Sequence, residues 1–201
     1  MGYLQWGTRR APPLSSPTIV LILLNCVVYV VLILGGDFAY NLLAFSGSAF
    51  YQAHAYWQLV TSMFVHFGIL HIAFNMYGLY YFGRINENEF STPQYLAIYF
   101  GSGLIGNVAS LLLLAPDTLS GGASGAIFGL LGSYVIIERR ARRMGMALGY
   151  AAFILIISAL SGPDVNNFAH LAGLLGGLGL GLLFTPNRAS GGYSVGYTYT
   201  T

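Results

Sequence analysis

Apolar residues in this chain gather into six blocks, separated mostly by proline or charge. The blocks cover about 17–35, 62–82, 93–114, 124–137, 146–160 and 166–184, and each predicts a membrane-crossing helix. The fourth differs from the others. From Ser124 to Ile137 it carries no charge, and it ends at Glu138-Arg139-Arg140. At 1.5 Å per residue it reaches only about 20 Å, against roughly 30 Å of hydrocarbon. With its charged end at one surface, Ser124 lies about 10 Å beneath the other. A polar residue at that depth is costly unless protein or water surrounds it. The sixth block holds a second such residue, His170, in Asn-Phe-Ala-His-Leu-Ala-Gly.

Composition agrees with a membrane setting. Of 201 residues, 56% are hydrophobic and 7% charged, against about 25% charged in soluble domains. The 27 glycines suit packed membrane helices. The expected organisation is all-α and polytopic: a short cytoplasmic segment over 1–16, a six-helix membrane domain over 17–184 and a flexible cytoplasmic tail over 185–201. Cys26 lies in an apolar stretch, has no second cysteine to pair with and is given no role. The first block follows Arg9-Arg10 but is longer than a signal-peptide core and lacks a clear cleavage site, so it reads as a retained anchor.

Arginine placement sets the orientation. The chain has no lysine. With six spans, Arg9, Arg10, Arg84, Arg139, Arg140, Arg142, Arg143 and Arg188 all fall on one side, which the positive-inside rule makes cytoplasmic. Asp37, Asp117 and Asp164 fall on the other. The net charge of +2 therefore reports topology and gives no sign of a nucleic-acid partner. The aromatic segment from Gly36 to Trp57 is expected to lie in the outer leaflet.

The polar residues inside the spans form a small set. His71 and Asn75 are i, i+4 and share a helix face. His66 is about 140° away from His71 at 100° per residue and is assigned to the adjacent loop. Ala169, Gly173, Gly177 and Gly181 repeat every four residues in the sixth block; Gly125, Gly129 and Ser133 do so in the fourth. Small-xxx-small stripes let backbones approach closely. If the two stripes face each other, Ser124 and His170 come to similar depth. A serine beside a histidine suggests nucleophilic catalysis. Other readings of these residues stay open: a serine bonding its own helix, a histidine acting as proton relay or interhelical tie, or a polar conduit. A metal site lacks carboxylate and cysteine ligands, and a phosphate loop at Gly121-Gly122-Ala123-Ser124 lacks its lysine and its strand.

Taken together, these motifs resemble those of the rhomboid intramembrane serine proteases. The residues that carry the resemblance are Gly122-Ala-Ser124-Gly125, Ala169-His170-xx-Gly173-xxx-Gly177, His66-xxxx-His71-xxx-Asn75, and Trp57 nine residues before His66. The resemblance covers about 17–184 and implies a six-helix core. It implies Ser124 as nucleophile, His170 as general base, and His71, Asn75 and the Ser124 backbone N–H as the oxyanion hole. The fifth helix would be a gate beside which a substrate helix enters. Gln58 stands where an arginine is typical, and Phe128 where a tyrosine often supports the histidine ring.

No acidic residue is placed to complete a triad, so a Ser124–His170 dyad is expected, with packing orienting the imidazole. The expected substrate is a single-span membrane protein in the lipid bilayer, cut near its extracytoplasmic end without a cofactor. A relative that has lost catalysis would be expected to lack the serine or the histidine, and both are present.

Overall fold

The computed structural model describes residues 16–140, 142–162 and 165–184. Arg9, Arg10, Asp164 and Arg188, which take part in the charge pattern, lie outside the described residues, as does the C-terminal tail from residue 185. Six long helices carry the fold: α1 (Pro17–Leu43), α4 (Ile69–Glu89), α5 (Thr92–Leu113), α6 (Ser124–Arg140), α7 (Met144–Leu160) and α8 (Asn167–Leu183). Two short ones, α2 (Gly47–Gln52) and α3 (Gln58–Thr61), lie between α1 and α4, and a 3₁₀ turn, Ser62–Phe64, continues α3. Among the described residues, extended pairing is limited to one isolated bridge, Phe45 with Ser120.

α1 and α5 are long and apolar enough to cross a membrane; α7 and α8 are shorter apolar helices. The core is apolar, but so is much of the exterior, unlike that of a water-soluble bundle. Thr18, Asn25, Asn86, Ser102, Ser110 and Ser133 are buried, while Leu34, Phe74 and Leu160 are 73–82% exposed. Lipid tails solvate such apolar faces, and five of those six polar side chains hydrogen-bond within the protein, Ser102 excepted. Asn86 is one: its amide donates to the Phe82 and Leu130 carbonyls, and its oxygen accepts from Ser133, which ties α4 to α6.

One end of the bundle is fixed by charge. The Ser16 hydroxyl caps α1 by accepting from Ile19 N–H and also donates to Glu87 near the end of α4. Arg84 pairs with the same carboxylate. At the other end, Ser48 donates to Asp117, and Phe45 and Ser120 exchange backbone hydrogen bonds.

Two elements differ from the sequence expectation. The second span starts at Ile69 rather than at residue 62. The segment Gln58–Phe64 meets α4 at 94°, with the break between Phe64 and Ile69. The bend is tolerated because its backbone groups have partners from elsewhere, as a nonpolar setting demands. The His66 carbonyl accepts from the Tyr40 hydroxyl, Ser62 from Gly122 N–H, and Leu59 from Asn107. The segment after residue 35, expected to lie beyond the first span, is helical as far as Leu43. α1 runs to Leu43 through a break at Gly36, whose φ of 52° suits glycine. Phe38, Tyr51, Tyr56 and Trp57 in this region remain exposed, whereas Phe45 is buried.

α6 is the centre of the fold, packed by α4, α5, α7 and α8. Its seam with α8 is backbone against backbone. A Cβ on Gly173 would overlap the Gly125 carbonyl oxygen, and one on Gly177 that of Gly129. At the end of the same seam, Gly181 faces Ser133, 3.1 Å from where its Cβ would stand. The two small-residue stripes therefore meet in register.

Candidate active site

Ser124 is the first residue of α6. The first ladder bond of α6 runs from Ile127 N–H to the Ala123 carbonyl at 2.9 Å. The N–H groups before it belong to the open end of the helix, where they favour negative charge. The chain reaches this point through Gly121 and Gly122. Gly122 has φ +140°, and its N–H donates to the Ser62 carbonyl at 2.9 Å. A Cβ at Gly122 would stand 3.0 Å from His71 Nε2 and 3.4 Å from Ser124 Oγ. Glycine suits the backbone angle here, and the space beside it is bordered by both side chains. A small cavity of about 20 Å³ adjoins Ser124, bordered by Asn107, Ser120 and Asn166 among others, large enough for one water molecule.

His170 lies in the first turn of α8, buried, with Nε2 2.7 Å from Ser124 Oγ. Three contacts hold it. Phe128, one turn along α6 from Ser124, stacks on the imidazole with centroids 4.4 Å apart and planes 14° apart. Asn166 caps α8 by accepting from Ala169 N–H at 3.1 Å. The Asn166 amide donates to Ser110 at 2.7 Å and Ser120 at 2.9 Å, which ties the start of α8 to α5 and to the segment leading into Ser124. The third contact is Ser158 of α7, whose Oγ lies 2.6 Å from His170 Nδ1. Ser158 also donates to Asn167 Oδ1 at 3.0 Å.

The residues expected around this pair are placed as follows. His71 adjoins Gly122, as above. Asn75 is buried one turn later; its amide donates to the His71 carbonyl at 2.8 Å, and its Oδ1 has no partner. His66 is fully buried and reaches His71 rather than Ser124, ring edge to ring with centroids 5.0 Å apart. Its Nδ1 lies 3.2 Å from the Phe64 carbonyl, so it sits at the bend before α4. Gly125 and Gly173 lie in the α6–α8 seam.

Trp57 is not brought to Ser124. It is half exposed and donates through Nε1 to the Leu42 carbonyl at 2.9 Å. Gln58 beside it is buried and donates to the Asn41 carbonyl at 2.9 Å. Both anchor the segment after α1. Sequence reasoning missed Asn166, Asn167 and Ser158. The first two stand at the start of a helix, where an Asn-Asn pair is a capping signal. Ser158 stands alone in an apolar helix and gives no such signal.

A bundle of membrane helices closed around a hydrogen-bonded serine and histidine is the architecture of a serine hydrolase that works inside the bilayer. Residues 53–187 match the family model described as the rhomboid domain. The chain belongs to the rhomboid family, a family of membrane-embedded serine proteases. It is 34% identical to YdcA of Bacillus subtilis over 139 residues, covering 66% of this chain and 69% of that protein. It is 35% identical to RHOMBOID-like protein 6, mitochondrial, of Arabidopsis thaliana, covering 70% of this chain and 47% of the relative. It is also 35% identical to rhomboid protease GluP of Bacillus subtilis, covering 61% of this chain and 25% of GluP. The chain thus spans less than half the length of the latter two relatives.

Proposed function

We propose that this protein is an intramembrane serine endopeptidase that uses Ser124 and His170 as a catalytic dyad. The observation that carries this reading is the 2.7 Å contact between Ser124 Oγ and His170 Nε2 at the open end of α6. A serine hydroxyl is a weak nucleophile until a neighbouring base takes its proton. Nε2 is within reach to accept that proton as Oγ attacks a peptide carbonyl, and then to pass it to the leaving amine. In this reading three donors meet the negative charge on the carbonyl oxygen. The Ser124 N–H lies at the helix end, His71 Nε2 beside Gly122, and Asn75 keeps one amide hydrogen beyond the one given to His71. Water then releases the acyl group, and the cavity beside Ser124 has room for one molecule.

The substrate is a single-span membrane protein, cut near its extracytoplasmic end, and both termini of the enzyme face the cytoplasm. A helix must unwind before its peptide carbonyl can be attacked, which is prohibitive in lipid but tolerable beside a polar cavity. Substrates with Gly or Pro in the outer half of the helix should therefore be cut faster than Leu-rich ones.

The test is cleavage of a single-span model substrate by purified protein in liposomes. The expected result is one cut near the outer end by the wild type and none by Ser124→Ala. Undiminished cleavage by Ser124→Ala would overturn the assignment.

A further inference from the structure

His170 has two ring nitrogens, and the dyad accounts for one. A neutral imidazole carries its proton on either Nδ1 or Nε2. It can accept from Ser124 only if Nε2 is bare and the proton sits on Nδ1. In a triad a buried carboxylate enforces that choice. Among the described residues no carboxylate touches the ring, and Phe128 stacking is indifferent to where the proton lies. A different device holds Nδ1.

Ser158 Oγ lies 2.6 Å from Nδ1. A hydroxyl could donate to that nitrogen, which would favour the unproductive tautomer. Its single hydrogen is already committed, because Ser158 donates to Asn167 Oδ1 at 3.0 Å. The Asn167 amide is oriented in turn: its Nδ2 donates to the Val165 carbonyl at 3.2 Å, which leaves the oxygen facing Ser158. With its proton spent, Ser158 can only accept from Nδ1–H. The hydrogen bonds then run in one direction, from Ser124 to His170 to Ser158 to Asn167.

We propose that Ser158 and Asn167 form a hydroxyl–amide relay that fixes His170 as the Nδ1–H tautomer and so keeps Nε2 free to accept the Ser124 proton. This deepens the dyad reading and rests on it for its catalytic meaning. Ser158 and Asn167 are positioning residues; neither touches the reacting atoms. When His170 takes the Ser124 proton, the imidazolium keeps its Nδ1–H bond to Ser158, and the charge is met by an oriented dipole in place of an anion. The pair spans two helices, Ser158 in the last turn of α7 and Asn167 in the first turn of α8. The relay therefore also ties the position of α7 to the state of the base.

The test reads the tautomer directly, from ring ¹⁵N chemical shifts of histidine-labelled protein in lipid bilayers near neutral pH. The four histidines are sorted by the signal that disappears in His170→Asn. Wild-type His170 is expected as Nδ1–H. Ser158→Ala removes the acceptor and should raise the Nε2–H form. Asn167→Ala frees the Ser158 hydroxyl to donate to Nδ1 and should raise it further. Ser158→Thr keeps a hydroxyl and should restore the wild-type spectrum. In parallel, kcat should fall about 10–100-fold in Ser158→Ala, the worth of one hydrogen bond to a charged group, with KM nearly unchanged and recovery in Ser158→Thr.

A wild-type His170 protonated on Nε2, or either alanine variant keeping the wild-type tautomer, overturns the relay. The spectrum does not depend on turnover. A protein with the expected tautomers that cleaves nothing would refute the proposed protease function while leaving the relay in place.

Discussion

The α6–α8 seam and helix α7 meet at one histidine but are built on opposite terms. Along the seam, Gly125, Gly129, Gly173 and Gly177 bring two backbones so close that added Cβ atoms would strike carbonyl oxygens. α7 buries only Ala147 and Ala151, its Gly145 and Gly149 meet nothing within 4 Å, and Phe153, Ile156 and Leu160 are exposed. Ser124 and His170 stand at one end of the tightly packed seam, where small displacements of either helix are resisted. The loosely packed helix supplies Ser158 to the far side of the His170 ring. Rigid packing thus sets the distance between Ser124 and His170, and in the proposed relay one hydrogen bond from a freer element sets the ring's tautomer. Reacting groups placed on rigid elements hold their geometry better than groups on mobile ones.

The largest effect should come from removing either member of the pair that the seam holds. Ser124→Ala and His170→Ala should each lower turnover by roughly 10⁴–10⁶-fold, measured on a reconstituted single-span substrate, with the fold retained. Next, His71→Ala and Asn75→Ala should each lower kcat by about 10²–10³-fold, the usual cost of one oxyanion donor. A variant with near-normal turnover would remove that residue from the oxyanion hole.

Wedging the seam should cost about 10²-fold or more, because displacing a reacting group by about 1 Å is already that expensive. Gly173→Val makes that test without deleting any catalytic group. If it cleaves normally, seam packing does not set the Ser124–His170 distance. The smallest effect belongs to α7. Gly149→Ala meets open space, so it should leave activity unchanged and stabilise the helix by about 0.5–1 kcal/mol. A thermal unfolding curve in detergent checks this.

Much of this was legible in the sequence where a physical signal was local or periodic. The charge-free block behind Ser124 marked a short helix, and α6 does begin there. The four-residue stripes predicted a close seam, and Gly173 and Gly177 meet Gly125 and Gly129 in register. The bend before α4 was not legible, because apolar residues continue unbroken through Met63-Phe64-Val65 and the hydrogen bonds that permit the bend come from Tyr40, Asn107 and Gly122. Ser158 was not legible for a related reason. Its partners lie beyond the α7–α8 turn, and only the antiparallel return of the chain brings the last turn of one helix against the first turn of the next. A lone serine among Ile, Ala and Leu looks no different from one that bonds its own helix.

The proposed chemistry turns on Ser124 being an activated nucleophile and on His170 activating it. The most direct measurement is labelling of the purified, membrane-reconstituted protein with a fluorophosphonate, with the modified residue located by mass spectrometry. One label is expected, on Ser124 and lost in both Ser124→Ala and His170→Ala, as the dyad requires. No labelling of the wild type, labelling at another serine, or full labelling of Ser124 without His170 would contradict it.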